Sequence, residues 1–339
     1  MPMTPNTILF RADANRKLGL GHIVRCLALA DALKNNKPDL EITFITKHEE
    51  GRKIIKGKNY KVVQVLDNEV SQIRNLANRD TLLITDFLDT NDLYISKIKK
   101  IVNLKIISID NNTRLKKLDG NIVINANVFN KGEIKTIGST RYFLGPKYMI
   151  LRKGFEKANR KKEINNKVKS VLVMFGGTDP KEFIIKVASA LKNIYNEVQV
   201  NLVIGSGFSY NNKFKRALSK MDKKFNLLFN PPNIIEIMEN TDIAITAAGV
   251  VLYELATLGV PSLVIPQAKH QENIARAFEG FGAGINLGKS PNSKLIYKKF
   301  TILVKNRLLR ERLSKNGKKL VDGMGTQRVI KLIKEETLK

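Results

Sequence analysis

A chain of 339 residues, 43% hydrophobic and 27% charged, is too long for one ordinary core and too apolar to be intrinsically disordered. Lys and Arg number 59 against 31 Asp and Glu, a formal net charge of +28, and the single cysteine, Cys26, excludes both a disulfide-stapled scaffold and a zinc finger. From the amino terminus, short apolar runs alternate with helical patterns, as parallel sheets with crossover helices require. The predicted strands of the first half are Thr7–Phe10, Glu41–Thr46, Lys61–Leu66, Thr81–Thr85, Leu104–Ile109 and Asn121–Asn125. Several are unbroken Ile/Leu/Val runs, the pattern of strands covered on both faces. After the first of them, Ile23, Leu27, Ala30 and Leu33 recur at spacings of three and four, which predicts a helix. The second half repeats the theme with Ser170–Phe175, Val198–Ile204, Phe225–Phe229, Asp242–Thr246, Pro261–Ile265 and Gly284–Leu287. Two doubly wound α/β domains are therefore expected, residues 1–150 and 169–339, facing each other across a cleft. A solvated basic linker at 151–168 would join them, the densest run of cations being Arg152–Lys169.

The segment Ile243–Pro266, IAITAAGVVLYELATLGVPSLVIP, is long enough to span a bilayer. Glu254 at its middle, Gly249, Gly259 and Pro261 break it, so it is read as strand, glycine turn, short helix and second strand. The start, MPMTPNTILF, lacks the apolar stretch of a signal peptide, and a cytoplasmic protein is expected. Lysine is spread over nearly every helix and loop, as a general compositional lean would spread it. With no Trp and 7% aromatics, the clustered cations and stacking platforms of a nucleic-acid binder are missing, so no nucleic-acid partner is expected. A positive surface favours anionic substrates and peripheral contact with an anionic membrane. A monomer is expected.

Ligands of open parallel sheets sit at the carboxyl ends of strands, and three such ends carry chemistry. The first is Phe10-Arg11-Ala12-Asp13, followed by Gly19-Leu20-Gly21-His22 and a helix. The glycines permit a sharp strand-to-helix turn, and the free N–H groups of the helix start favour an anion. His22 and Asp13 are the expected catalytic residues, with Arg11, Gly21 and Asp86 at the substrate. A dinucleotide fingerprint fails because Val24 stands where the third glycine belongs and no acid follows Ile45-Thr46-Lys47-His48. A histidine that only caps the turn is the other reading. The second end, Gly176-Gly177-Thr178-Asp179-Pro180, reads as a phosphate nest or as an ordinary turn and helix cap. The third, Thr246-Ala247-Ala248-Gly249-Val250, opens a helix to a diphosphate; Glu254 one turn on is either a ribose ligand or a buried structural carboxylate. Gln271, in His270-Gln271-Glu272-Asn273, could face a sugar. His48 reads as a surface residue, His270 has no visible partner for base chemistry, and Cys26 reads as a small core residue.

The stretch FRADANRKLGLGHIVRCLALADALK resembles the amino-terminal signature of the nucleotide-sugar hydrolases of pseudaminic acid synthesis, the UDP-2,4-diacetamido-2,4,6-trideoxy-β-L-altropyranose hydrolases. It is equally similar to the spore-coat polysaccharide biosynthesis proteins. The resemblance continues through ITDFLDT, ISIDNN, VINAN, LGPKYMILRKGF, MFGGTDP and HQENIARAFEGFGAGINLG, and its most specific part is the G-x-G-H with Arg11, Asp13 and Arg25 beside it. The carboxyl-terminal half also resembles the UDP-GlcNAc transferases that complete the peptidoglycan lipid precursor, which implies the two-domain glycosyltransferase-B architecture. By resemblance His22 is the catalytic base, Gly177, Thr178, Ala248, Gly249 and Val250 hold the diphosphate, Glu254 the ribose and Gln271 the sugar. The pathway hydrolases read Asp-His-Tyr where this chain has Asp86-Phe87-Leu88, and the transferases carry Asn where it has Ile274. The resemblance implies an inverting hydrolase of a UDP-activated amino sugar that needs no metal and no cofactor. A glycosyltransferase with an alcohol or lipid-linked acceptor is the rival, and a non-catalytic sugar-nucleotide binding protein the third class.

Overall fold

The computed structural model describes residues 6–16, 18–65, 68–87, 89–101, 104–109, 122–130, 132–157, 163–179, 181–192, 194, 197–208 and 225–337. The predicted strand residue Asn121, together with Leu88, Pro180 and the Asp110-Asn111-Asn112 of the ISIDNN motif, lies outside the described residues. The chain divides into two compact units, one of residues 1–153 with 324–339 and one of residues 154–323.

The first unit opens with strand β1 (Thr7–Ala12) and helix α1 (Gly21–Asn36), then β2 (Glu41–Thr46), α2 (Glu49–Lys56), β3 (Lys61–Gln64), α3 (Glu69–Leu76), β4 (Thr81–Asp86) and α4 (Asp92–Ile101). It continues with β5 (Lys105–Ile109), β6 (Ile122–Asn125), β7 (Ile134–Ile137) and β8 (Thr140–Leu144). The sheet order is β3-β2-β1-β4-β5-β6-β8-β7, parallel except for the β7–β8 hairpin. Strands β1 and β4 are buried along their whole length, which explains their unbroken apolar runs. The four periodic residues of α1 are all buried, and the helix rests on β1 and β4.

The second unit carries β9 (Ser170–Met174), α5 (Phe183–Leu191), β10 (Gln199–Ile204), β11 (Phe225–Phe229), α6 (Ile234–Glu239), β12 (Ile243–Thr246), α7 (Val250–Leu258), β13 (Ser262–Val264), α8 (Lys269–Gly280), β14 (Ile285–Asn286), α9 (Ser293–Lys305) and α10 (Arg307–Leu320). Its sheet, β11-β10-β9-β12-β13-β14, is wholly parallel. The segment long enough to span a bilayer is β12, α7 and β13, as its glycines and proline require. No helix among the described residues is long and apolar enough to cross a membrane.

Two boundaries differ from expectation. The last helix, α11 (Gly325–Thr337), packs in the first unit against α1 and the turn Pro146–Tyr148, not in the second. Thr326 Oγ1 donates to the Leu151 carbonyl and accepts from the Leu151 N–H, while Arg328 donates to the Lys147 carbonyl. The basic stretch is not a free linker over its described part. Leu151, Phe155 and Val168 are buried, and the buried guanidinium of Arg310 holds the carbonyls of Asn165 and Asn166. Apolar anchors spaced among the cations override the charge run.

Gly325 makes the docking of α11 possible: a Cβ there would meet the Met149 carbonyl oxygen at 2.1 Å and the Met149 nitrogen at 2.7 Å. Gly325→Ala is expected to cost about 1–3 kcal/mol by overpacking against backbone that cannot yield. A lowered urea midpoint at unchanged slope is the expected result.

Candidate active site

In the first sheet β2 and β3 lie on one side of β1, while β4, β5 and β6 run off the other way. The order reverses between β1 and β4, where Arg11 lies opposite Thr85 and Ala12 opposite Asp86. A crevice outside the carboxyl ends of such a pair is where open α/β sheets bind ligands. Helix α1 starts at this edge, with exposed Gly21 as its first residue and His22 next.

Asp86, 0% exposed, ends β4 and is the hub. Arg25 grips it with two hydrogen bonds, Nε to Oδ2 at 2.8 Å and Nη2 to Oδ1 at 2.6 Å. His22 Nδ1 lies 2.7 Å from Asp86 Oδ1. Burial alone would push the Asp86 carboxyl up, but the charge of Arg25 and the contact with His22 hold it below its ordinary value. An ionised carboxylate only accepts, so Nδ1 carries the proton of the neutral ring and Nε2 keeps its lone pair. The 3.4 Å approach of Arg25 Nη2 to His22 Nδ1 then sets two donors side by side and is no hydrogen bond. The side chain of His22 is 16% exposed, so the ring reaches the surface. Cys26 donates weakly to Asp86 Oδ2 at 3.6 Å, and burial, reinforced by Asp86, pushes its thiol up, as befits a core residue and not a nucleophile.

The sequence pairs His22 with Asp13 as the catalytic residues; the structure gives the partner's place to Asp86. Asp13 accepts from the Lys47 N–H at 2.7 Å and from Thr46 Oγ1 at 3.3 Å, tying the end of β1 to the end of β2. Arg11 Nη1 is 2.7 Å from Asp13 Oδ1 as an ion pair, though its N–H is not aimed along a hydrogen bond. Arg11, expected to contact substrate, is instead buried. Its Nε donates to Glu69 Oε1 at 2.6 Å and its guanidinium stacks 4.1 Å above the Phe87 ring. Burial opposes the Arg11 charge, but Asp13 and Glu69 outweigh it and push its pKa further up. Tyr94 also donates to Glu69. Glu69, Tyr94 and the role of Arg25 as the Asp86 clamp were not foreseen. Phe87 and the helical spacing of His22 and Arg25 were the signals present.

In the second sheet the order reverses between β9 and β12, joined at their ends by Thr246 Oγ1 donating to the Met174 carbonyl. Both glycine motifs therefore flank one switch point. The loop at Gly176-Gly177-Thr178 is closely backed: a Cβ on Gly205 would meet Gly176 and Gly177 backbone at 2.6–2.7 Å. Asp179 is turned inward, accepting from the Ile184 N–H at 2.9 Å, so its side chain occupies the start of α5. Burial, with Glu182 nearby, pushes its carboxyl up against the pull of those backbone donors. The start of α7 is different: its cap residue is Gly249, with no side-chain acceptor, and Ala248 and Val250 flank it. Of these two helix starts, α7 leaves its N–H groups for an anion. Gln271 lies alongside, its Nε2 3.9 Å from where a Gly249 Cβ would sit, and its Oε1 accepts from the Gln267 N–H at 2.9 Å. Gln267 reaches Asp179 at 3.4 Å, closing the ring of loops. Glu254, 1% exposed, is engaged within the protein. His48 caps α2 half-buried, and His270 is exposed.

Residues 171–326 match the family model described as the glycosyltransferase family 28 C-terminal domain. The chain is 29% identical to the spore coat polysaccharide biosynthesis protein SpsG of Bacillus subtilis strain 168, over 96% of each chain. It is 25% identical to the UDP-2,4-diacetamido-2,4,6-trideoxy-β-L-altropyranose hydrolase of Campylobacter jejuni, over 79% of this chain and 94% of that protein. Among solved structures, MurG of Acinetobacter baumannii matches with a TM-score of 0.66 at 15% identity, covering 97% of this chain and 99% of that one. The fold is glycosyltransferase-B. Each unit supplies the sheet of that fold with its switch point lined by the residues above.

In this glycosyltransferase-B chain, Asp86→Ala would leave the Arg25 guanidinium buried without a counter-charge, a cost of about 3–5 kcal/mol. Because the native carboxyl binds its proton below its ordinary range, its contribution is fully present above about pH 4 and is lost as pH falls through the lowered native value. Denaturation midpoints measured against pH are expected to fall on the acid side in the native chain. In Asp86→Ala that share of the fall should be missing.

Proposed function

We propose that the protein is a hydrolase that cleaves the glycosyl–diphosphate bond of a UDP-activated acetamido deoxy sugar with water, inverting the anomeric centre, in the synthesis of a nonulosonic acid or surface polysaccharide. One observation carries the reading: a partly exposed imidazole whose Nδ1 is fixed by a buried carboxylate, leaving Nε2 as a base at a sheet switch point. Support also comes from the named activity of the Campylobacter relative.

In this reading the water oxygen forms a bond to the anomeric carbon while its proton passes to His22 Nε2. The bond from that carbon to the diphosphate oxygen breaks, and its electron pair leaves on UDP. Charge on the leaving diphosphate is met by the N–H groups of Ala248, Gly249 and Val250, and by Gly176, Gly177 and Thr178. Gln271 would hold the sugar and Glu254 the ribose. Asp86 keeps the imidazole in its base-competent tautomer, a positioning role. Phe87 replaces the histidine of the pathway hydrolases, so the proposal extends to the class of sugar and stops short of altropyranose.

A transferase on the same fold is the second reading, favoured by the family 28 match. There His22 would take the proton of an alcohol or lipid-linked acceptor. Incubating the protein with UDP-sugar alone separates the two: steady release of free sugar and UDP supports the hydrolase, and release that depends on added acceptor overturns it.

His22→Ala is expected to lower turnover about 100- to 10,000-fold, the general-base range, with UDP affinity kept. Turnover near that of the native protein would remove His22 from the chemistry. Gly249→Ala tests the other unit, since its methyl fits the fold with no atom nearer than 3.9 Å. Calorimetric titration should show UDP binding about tenfold weaker at an unchanged unfolding midpoint. For Glu254→Gln, weaker UDP binding would mark a ribose ligand, and a lowered midpoint with UDP binding intact a structural carboxylate.

A further inference from the structure

In the second unit, α9 and the start of α10 form a corner where exposed apolar side chains and lysines meet. Helix α9, SKLIYKKFTILVK, buries Ile296, Phe300 and Leu303 in the core of the second unit and contains no acidic residue. Its outer side presents Lys294, Lys298 and Lys305 together with Tyr297 and Ile302. One residue into α10, Leu308 is 77% exposed, the highest value of any large hydrophobic among the described residues. These residues line a shallow groove of about 880 Å³. Tyr297, Ile302 and Leu308 are three of the nine large hydrophobics exposed among the described residues, brought together in one place. Arg307 in the same groove is neutralised by Glu311 at 2.9 Å, so the lysines set the sign of the patch.

We propose that this corner docks on an anionic lipid bilayer. Aliphatic tips and one tyrosine ringed by lysines match the two demands of a bilayer interface. The apolar tips enter the headgroup boundary, and the ammonium groups meet lipid phosphates without leaving water. A nucleic acid would use the lysines but leave Ile302 and Leu308 bare, and Tyr297 alone makes a poor stacking platform. The proposal is independent of the reaction assigned above.

The test is co-sedimentation of the whole protein with vesicles of phosphatidylcholine, with and without phosphatidylglycerol. Binding should require phosphatidylglycerol. The variant Lys294→Glu, Lys298→Glu, Lys305→Glu should lower the partition coefficient about 100-fold, at about fivefold or more per lysine. A control that reverses three exposed lysines of the first unit, Lys53, Lys58 and Lys61, should keep most of the binding. This control is needed because a net charge of +28 attracts anionic vesicles from any side. Ile302→Ser with Leu308→Ser, which leaves the charge alone, should lower binding about tenfold. Equal binding to pure phosphatidylcholine, or equal loss in patch and control variants, overturns the proposal. So does a patch variant that binds vesicles normally but loses affinity for single-stranded RNA or changes its oligomeric state. Circular dichroism of each variant confirms that the fold is kept.

Discussion

A carboxylate with no access to water must be paired, and in this protein the Asp86 charge is paired twice from one helix. Arg25 and His22 stand three residues apart on α1, so both side chains leave the same face of the helix. The fork of Arg25 matches the two oxygens of Asp86 edge-on, which fixes the rotation of α1 about its own axis. His22 then takes the remaining acceptor site on Oδ1. One interaction therefore seats the first crossover helix on the sheet and sets the tautomer of the partly exposed imidazole at the switch point. Stability and chemistry cannot be separated at this residue.

The proposed cleavage of a sugar nucleotide makes two demands, and each unit carries residues suited to one of them. Proton transfer needs a titratable group with one nitrogen fixed and the other free, and β1, β4 and α1 assemble it. A departing diphosphate needs donors that are already in place and cost nothing to reorganise, and the bare start of α7 offers them. The inward turn of Asp179 matters to this division. Its side chain satisfies the start of α5 internally, whereas at the start of α7 the small residues 247–249 offer no capping carboxylate, which suits the proposed anion.

Most of the architecture was legible because parallel strands buried on both faces leave continuous Ile/Leu/Val runs that need no partner to be recognised. β2 and β11 match their predicted bounds, and the glycines and proline of the Ile243–Pro266 segment mark β12, α7 and β13. The hairpin Ile134–Ile137 with Thr140–Leu144 was missed, since β7 (IKTI) is exposed throughout and its two isoleucines, three residues apart, make neither an apolar run nor an alternation. At the site, the glycine turn before His22 is a local signal and could be read. The choice of Asp86 over Asp13 could not, because both acids end a strand and only the register of β1 on β4 brings one of them under α1. Glu69 and Tyr94 reach Arg11 from α3 and α4 by the same long-range logic. The closing of α11 onto the first unit depends on contacts 175 residues apart, beyond any local pattern.

The charges at the ends of β1 and β4 bear on the proposed role of His22. Two ion-pair groups stand there, Arg11 with Asp13 and Glu69, and Arg25 with Asp86 beside His22. In the proposed reaction a proton taken up at His22 Nε2 would make the ring cationic while its Nδ1 stays 2.7 Å from the Asp86 carboxylate. That proposed cation would be met by a charge already fixed in the ground state, with no side chain required to move. The Arg11–Glu69–Tyr94 contacts and the Phe87 ring beneath the guanidinium hold this arrangement rigid from behind.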